Sequence, residues 1–282
     1  MSVLLADIGG THARFCVLKA GRLSDVYRFR CSDCKSVYQA IQSFLVMQAC
    51  VPEYAVIAIA GVITDNQAKW TNLSWTISEK ELKRRFGFQK IHLVNDLIPQ
   101  GAGISSIKKK DLVALNRAGV NQKAPRVLLS LGTGLGACFL LEEKIYPTEY
   151  GQTMLPSGRT LEKVLRGWGL KSVYAEDKDR IASSALKCKV QRKSSTVAEE
   201  QFFLGLAQAM QNLALITQPF GGLYVTGGML KSADLIKNKV AYHMTNHPTM
   251  KSLLKKVPVF LITNKDLAFL GLSKLAQKYG LT

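Results

Sequence analysis

The stretch Leu4-Leu5-Ala6-Asp7-Ile8-Gly9-Gly10-Thr11-His12-Ala13-Arg14-Phe15-Cys16-Val17 gathers residue types that suit one kind of chemistry. An apolar run ends in an aspartate. Two glycines and a threonine come next, and a second apolar run begins. Glycines permit a tight turn and bring backbone N–H groups close to an anion. A carboxylate at the mouth of that turn can hold a cation through water, so the set suits a phosphate chain with its Mg²⁺. The residues after the turn separate the phosphate-binding classes. A P-loop needs a lysine and then a helix, and a dinucleotide fingerprint also opens a helix. Here Ala13 to Lys19 is rich in β-formers and has no lysine at the P-loop position. The pattern predicts strand, Gly turn, strand. Taken alone, it could equally be an ordinary hairpin.

A second stretch repeats the design. Val127 to Leu131 leads into Gly132-Thr133-Gly134-Leu135-Gly136, and Ala137 to Leu141 continues as a further apolar run. Two such hairpins in one chain predict two related lobes, each presenting a phosphate-gripping turn to a shared cleft. Asn95-Asp96 stands where the strand Ile91 to Val94 ends. Ligands of open α/β sheets gather beyond the carboxyl ends of strands, and a carboxylate there can accept a hydroxyl proton as that oxygen attacks phosphorus. The same pair could serve only as a helix N-cap. Val225-Thr226-Gly227-Gly228 reads as a strand and a Gly pair that lets a flat ring lie against the backbone, or as a plain turn into a helix. Thr148-Glu149-Tyr150-Gly151-Gln152 and Glu162 are polar groups able to hold sugar hydroxyls, although their spacing alone does not show it.

The elements that must position these groups follow the hydrophobic pattern. Val26 to Phe29 predicts a strand, and Ser36 caps a helix to about Met47. Tyr54 to Ala60 is a nearly continuous apolar run, as expected of a central strand buried on both faces. Ser78 with Glu81 is a capping box for a helix to Phe86, and another helix runs from about Leu97 to Ser105. Trp70 to Trp75 reads as a short polar-aromatic segment, and Lys108 to Arg126 as polar and irregular. Helices are expected over 161–175 and 179–186, from Thr196 (capping box with Glu199) to about Gln218, and over 232–243. A last strand, Pro258 to Thr263, precedes a terminal helix from Asp266 to Tyr279.

With 282 residues, 47% hydrophobic and 21% charged, the chain suits a soluble protein of two domains. No apolar run reaches membrane-spanning length, and Asp7 interrupts the apolar start, so no signal peptide or membrane span is expected. The six cysteines are then expected to be reduced in the cytoplasm. Cys31-Ser-Asp-Cys34 and His243-Met-Thr-Asn-His247 mimic a zinc set but lie too far apart in sequence to form a finger. The formal charge of +18 is spread along the chain, and its densest runs lack the interleaved aromatics of a single-strand nucleic-acid platform. They read as solvated faces, and no nucleic-acid partner is expected.

The ordered set Asp7-Ile8-Gly9-Gly10-Thr11, Thr71-Asn72, Asn95-Asp96, Leu131 to Gly136 and Val225-Thr226-Gly227-Gly228 resembles the bacterial ATP-dependent glucokinases of the hexokinase–actin superfamily. The resemblance covers nearly the whole chain. It implies a two-lobed α/β protein of the ribonuclease H-like/actin-like ATPase fold, with mixed sheets flanked by helices and an interlobe cleft for ATP and sugar. Residues 1–105 plus 266–282 would form a small domain and 106–265 a large one. The implied activity is transfer of phosphate from ATP to the 6-hydroxyl of glucose, giving glucose 6-phosphate at the entry to glycolysis. Alternatives are a kinase for another hexose or an amino sugar, or a catalytically weakened protein that senses sugar or ATP. By the resemblance Asp7 would organise Mg²⁺, directly or through water. Ile8, Gly9, Gly10 and Thr11 would hold the outer phosphates from one side, and Gly132, Thr133 and Gly134 from the other. Gly227 and Gly228 would border the adenosine. Asp96 would be the general base, and Asn95, Asp96, Glu149, Gln152 and Glu162 would contact the sugar. A homodimer is compatible with this reading. The chain departs from the family pattern where Glu149-Tyr150-Gly151-Gln152 replaces Glu-Gly-Gly-His and where His12 replaces an asparagine. It is also short by about a helix between Pro156 and Leu161.

Overall fold

The first strand, β1 (Ser2–Ile8), carries apolar side chains on both of its faces, and all seven residues are buried. Such a strand needs neighbours on both edges and cover above and below. In the computed structural model it has all four. The structure describes residues 1–48, 51–70, 73–132, 134–156, 158–165, 187–228, 230 and 240–282, with 187–201 as backbone only. On one edge β1 pairs antiparallel with β2 (His12–Lys19). β2 in turn pairs with β3 (Arg22–Leu23) and β4 (Tyr27–Arg30). On the other edge β1 pairs parallel with β5 (Tyr54–Ile59). Helix α1 (Val37–Gln48) covers one face, where Phe44 stacks on Phe15 of β2 at 5.4 Å between ring centroids. The terminal helix Leu267–Lys278 covers the other through Phe269, Leu272 and Leu275.

After β5 the chain makes a small separate sheet of β6 (Gly61–Thr64), β7 (Gln67–Trp70) and β8 (Thr76–Ser78). The hydrophobic pattern does not disclose this sheet, because its strands are short and its apolar content lies in Trp70 and Trp75. The two indoles pack edge to face at 6.0 Å. Helix α2 (Glu79–Phe86) comes next, and Ser78 Oγ accepts from Glu81 N–H at 3.2 Å, as the capping box requires. The reciprocal half does not form. Ser78 N–H donates to the Tyr38 hydroxyl at 3.1 Å, while the Glu81 carboxylate pairs with Arg84 and Arg85. Ser78→Ala is expected to cost about 1 kcal/mol, read as a lower urea midpoint with unchanged slope. Beyond α2, β9 (Lys90–Asn95) pairs parallel with β5. It leads into α3 (Leu97–Gly103), which lies directly against the terminal helix. A Cβ at Gly103 would strike Leu267 O, and one at Gly271 would strike Pro99 O.

The second sheet repeats this plan. β10 (Leu112–Ala114) is an edge strand on β15 (Val259–Ile262), inside the stretch read as irregular; three residues with one ladder partner leave little pattern to detect. β11 (Arg126–Leu131), β12 (Leu135–Leu141) and β13 (Lys144–Thr148) form an antiparallel meander. β14 (Leu223–Thr226) lies parallel to β11, and β15 (Val259–Ile262) parallel to β14. A meander followed by two parallel strands is thus the topology of both sheets, as the repeated hairpin sequence predicts. The helix Lys187–Thr217 packs on the second sheet through Phe202, Leu206, Met210 and Leu213. Thr196 lies inside this helix, which begins at Lys187 rather than at the start expected from Thr196. The helix at Leu161 is described over Leu161–Leu165, and the continuation expected to 175 and the helix over 179–186 lie outside the described residues. Part of the helix expected over 232–243 does too, and 240–245 is helical.

The chain divides into two compact units, Met1–Lys108 with Asp266–Thr282, and Lys109–Lys265. Among the described residues, no helix is long and apolar enough to cross a membrane.

Candidate active site

In the first unit the parallel strands β1, β5 and β9 end in register, with Ile8 beside Ile59 and Ile59 beside Asn95. The Gly9-Gly10-Thr11 turn and the Asn95-Asp96 pair therefore share one sheet edge. They stand two strand spacings apart, roughly 10 Å. That edge is the carboxyl end of the strands, where open α/β sheets bind ligands. The turn is held from behind: Gly9 N–H donates to His12 O at 3.0 Å, and Cys31 N–H to Thr11 O at 2.9 Å. Ile8 is fully buried, and its carbonyl accepts from Ala60 N–H and from Trp70 Nε1, each at 3.1 Å. Cys31 Sγ donates to Gly9 O at 3.5 Å, and burial pushes this thiol up to about 11, so it stays protonated beneath the turn.

The turn does not need its first glycine for its own sake. Gly9 lies outside the left-handed region, and a Cβ there would meet only His12 O, at 3.7 Å. The backbone leaves open space on this side. At β9 the two candidate residues divide their tasks. Asn95 Oδ1 accepts from Leu97 N–H at 3.0 Å and so caps α3. Asp96 has helical backbone angles and makes no side-chain cap hydrogen bond; its N–H continues the ladder to Ile59 O at 3.1 Å. The capping reading therefore holds for Asn95 and fails for Asp96.

The second unit carries the corresponding edge. The hairpin closes with Leu131 opposite Leu135, and Gly132 N–H donates to Gly134 O at 2.9 Å. No described atom lies within 4 Å of a Cβ built on Gly132 or on Gly228. Gly227 is different, with φ +137° and its Cβ position blocked by Leu131 O. It is glycine because β14 ends pressed against β11. Gly134 faces Glu162, whose Oε2 would lie 2.6 Å from a Cβ there and accepts from Leu135 N–H at 3.1 Å. Thr133, Thr71 and Asn72 lie outside the described residues. Glu149 and Gln152 are exposed at the two ends of a single tight turn, with Glu149 O accepting from Gln152 N–H at 2.9 Å.

The sequence profile of the family described as Glucokinase matches residues 4–169 and 159–279. The chain belongs to the glucokinase family. A glucokinase from Nostoc punctiforme is 28% identical over 345 residues, covering 99% of this chain and 100% of the relative. Two solved structures share the fold. One is a glucokinase from Balamuthia mandrillaris in complex with glucose, with TM-score 0.79 and 19% identity over 98% of this chain and 93% of the other. The other is a glucokinase of the ROK family from Streptomyces griseus in complex with glucose and AMPPNP, with TM-score 0.72 and 16% identity over 99% and 100% of the two chains. The two-unit α/β plan is thus the actin-like plan of sugar kinases.

Against this glucokinase-family background two residues stand out: Arg14, to which the sequence reading gave no role, and Tyr150, which it noted only as a departure from the family pattern. Arg14 lies directly opposite Asp7 in the β1–β2 ladder, and its Nε donates to Asp7 Oδ2 at 3.0 Å. Its Nη2 forms an ion pair with the same oxygen, and its guanidinium stands 5.6 Å above the Phe269 ring. Both partners are largely buried, so Arg14 offsets the desolvation of Asp7. The signal was present: a turn centred on Gly10 and Thr11 brings Asp7 and Arg14 opposite each other by counting outward. Arg14→Leu leaves Asp7 buried without its partner, and a loss of roughly 3 kcal/mol is expected in urea unfolding. The second is Tyr150, the residue standing where the family has glycine. Its hydroxyl donates to Ala209 O on the long helix at 2.9 Å, and burial pushes its phenol up to about 12. Tyr150 anchors the Glu149–Gln152 turn from behind.

Proposed function

We propose that this protein transfers the terminal phosphoryl group of ATP to the 6-hydroxyl of a hexose, with glucose as the first candidate. The observation that carries the reading is Asp96: a carboxylate released from capping duty by Asn95, on the same strand edge as the Gly9–Thr11 turn. In this reading the hydroxyl proton passes to Asp96 while the sugar oxygen attacks the γ-phosphorus. The bond to the β-phosphate oxygen breaks and ADP leaves. Gly9, Gly10 and Thr11 hold the outer phosphates. By the family resemblance, Thr133, Gly134, Gly227 and Gly228 are the candidates for further contacts with ATP. Asn95 keeps Nδ2 as a donor for a sugar hydroxyl, and Glu149 and Gln152 offer further polar contacts. Glu162 contributes by holding the Gly134–Leu135 backbone and through its second oxygen.

Asp7 fits a hard divalent cation. It is a single carboxylate, fixed through Oδ2 by Arg14, which suits Mg²⁺ sharing its remaining positions with water and phosphate oxygens. When bound, the ion would neutralise charge on the phosphates. The protein's own part is to fix the carboxylate, present backbone N–H groups and place the base.

Steady-state ADP release with ATP, Mg²⁺ and a panel of hexoses and amino sugars tests the reading. Turnover that is highest with glucose supports it. A preference for mannose or an amino sugar would move the substrate, and Gln152 in place of histidine is the residue to examine then. ATP binding without turnover on any sugar would favour a sensing protein.

A further inference from the structure

A cavity of about 340 Å³ lies between the second sheet and its long helix, within the size range of small-molecule sites. Three elements form its walls. The sheet contributes Val127, Ala137 and Phe139. Phe139 lies opposite Val127 in one ladder and Tyr146 in the next, and its ring stacks on Tyr146 at 4.7 Å. The end of the helix Lys187–Thr217 contributes Leu213 and Ile216. Ile216 is 74% exposed, an apolar side chain left in solvent at the rim. The third wall is the turn that carries Glu149 and Tyr150.

The polar side chains on these walls are of one kind. Four hydroxyls line the cavity, and each donates its proton within the protein. Thr148 Oγ1 donates to Ala137 O at 2.7 Å, and Tyr150 Oη to Ala209 O at 2.9 Å. Thr153 Oγ1 donates to Tyr150 O at 2.8 Å, and Thr217 Oγ1 to Leu213 O at 2.7 Å. A hydroxyl has a single proton, so these groups have only lone pairs left for a ligand. Glu149 adds an exposed carboxylate, and among the described residues the ion pairs do not include it. Apolar walls with acceptors alone select an apolar body that brings its own donors. A primary ammonium has three donors and the charge to pair with a carboxylate. We infer that this cavity binds a small apolar molecule bearing a primary ammonium group, its body against Phe139 and Leu213 and its ammonium on Glu149. The inference does not need the hexose reading. If both hold, the ligand and the sugar draw on the same carboxylate.

The test is isothermal titration of the full chain with tryptamine and with tryptophol, its neutral alcohol counterpart, without sugar or nucleotide. The formal charge of +18 disfavours cations elsewhere on the surface, which keeps the background low. Four proteins are compared: the unaltered chain, Glu149→Gln, Ile216→Lys and Val62→Lys. Ile216→Lys puts a cation at the rim, and Val62→Lys adds the same charge at an exposed position in the other unit. All three replaced side chains are exposed, so the fold is kept. Expected is one tryptamine per chain, bound about tenfold or more tighter than tryptophol. Glu149→Gln and Ile216→Lys should each weaken tryptamine by about tenfold or more, with little change in Val62→Lys. Equal affinity for amine and alcohol would overturn the inference. So would equal losses in the two lysine variants, or no binding at all. Failure of the hexose reading shows separately, as absence of any sugar phosphate, and leaves this titration unaffected.

Discussion

Asp96→Asn lowers kcat by about 10²–10⁴-fold or more, while ATP affinity stays near that of the unaltered chain. The substitution keeps the shape and removes only the proton acceptor. The start of α3 keeps its cap, since Asn95 Oδ1 supplies it. The ladder bond from Asp96 N–H to Ile59 O is a backbone bond and also remains. Single-turnover kinetics with a separate ATP titration divides the two quantities. Asn95→Ala is the contrasting change. It removes a cap worth about 1 kcal/mol along with any sugar contact, so stability and sugar KM move together. If Asp96→Asn turns over at the full rate, the base lies elsewhere.

Gly227→Ala and Gly9→Ala are expected to fail in opposite ways. At Gly227 the left-handed backbone and the contact with Leu131 O leave no room for a methyl group. Backbone strain and overpacking together cost about 3 kcal/mol or more, seen as a large drop in Tm or in soluble yield. At Gly9 a Cβ meets its nearest protein atom at an ordinary 3.7 Å, and the backbone is not left-handed. Stability should stay within about 0.5 kcal/mol. The methyl group instead projects from the proposed phosphate turn, and kcat/KM for ATP should fall by about tenfold or more. Two glycines that look alike in the sequence thus serve different needs. One admits a neighbouring strand, and the other leaves space for a ligand.

This difference marks the limit of what the sequence discloses. The paired hairpins were legible because each is a long apolar run broken by glycine, and the shared topology of the two sheets follows from them. The central strand β5 was legible for the same reason. The β6–β7–β8 sheet was not, since strands of three or four residues beside two tryptophans carry almost no periodic signal. Thr196 misled because a capping box is a local pattern, and nothing local shows that the helix has already begun at Lys187. At the site, Asn95-Asp96 was visible as a pair, but which of the two caps α3 depends on backbone angles. Arg14 sits in a β-rich run and shows as a partner of Asp7 only when residues are counted outward from the Gly10–Thr11 turn. Its partner is seven residues away, and only the closed hairpin brings the two charges face to face.

The central claim is that the strand edge carrying Gly9–Thr11 and Asp96 phosphorylates a hexose. Incubation with ATP, Mg²⁺ and glucose, with ³¹P NMR of the resulting mixture, tests it most directly. The account predicts a new phosphate monoester on the 6-carbon, formed in equal amount to ADP and lost in Asp96→Asn. Bound ATP with no sugar phosphate from glucose or any other hexose would contradict it.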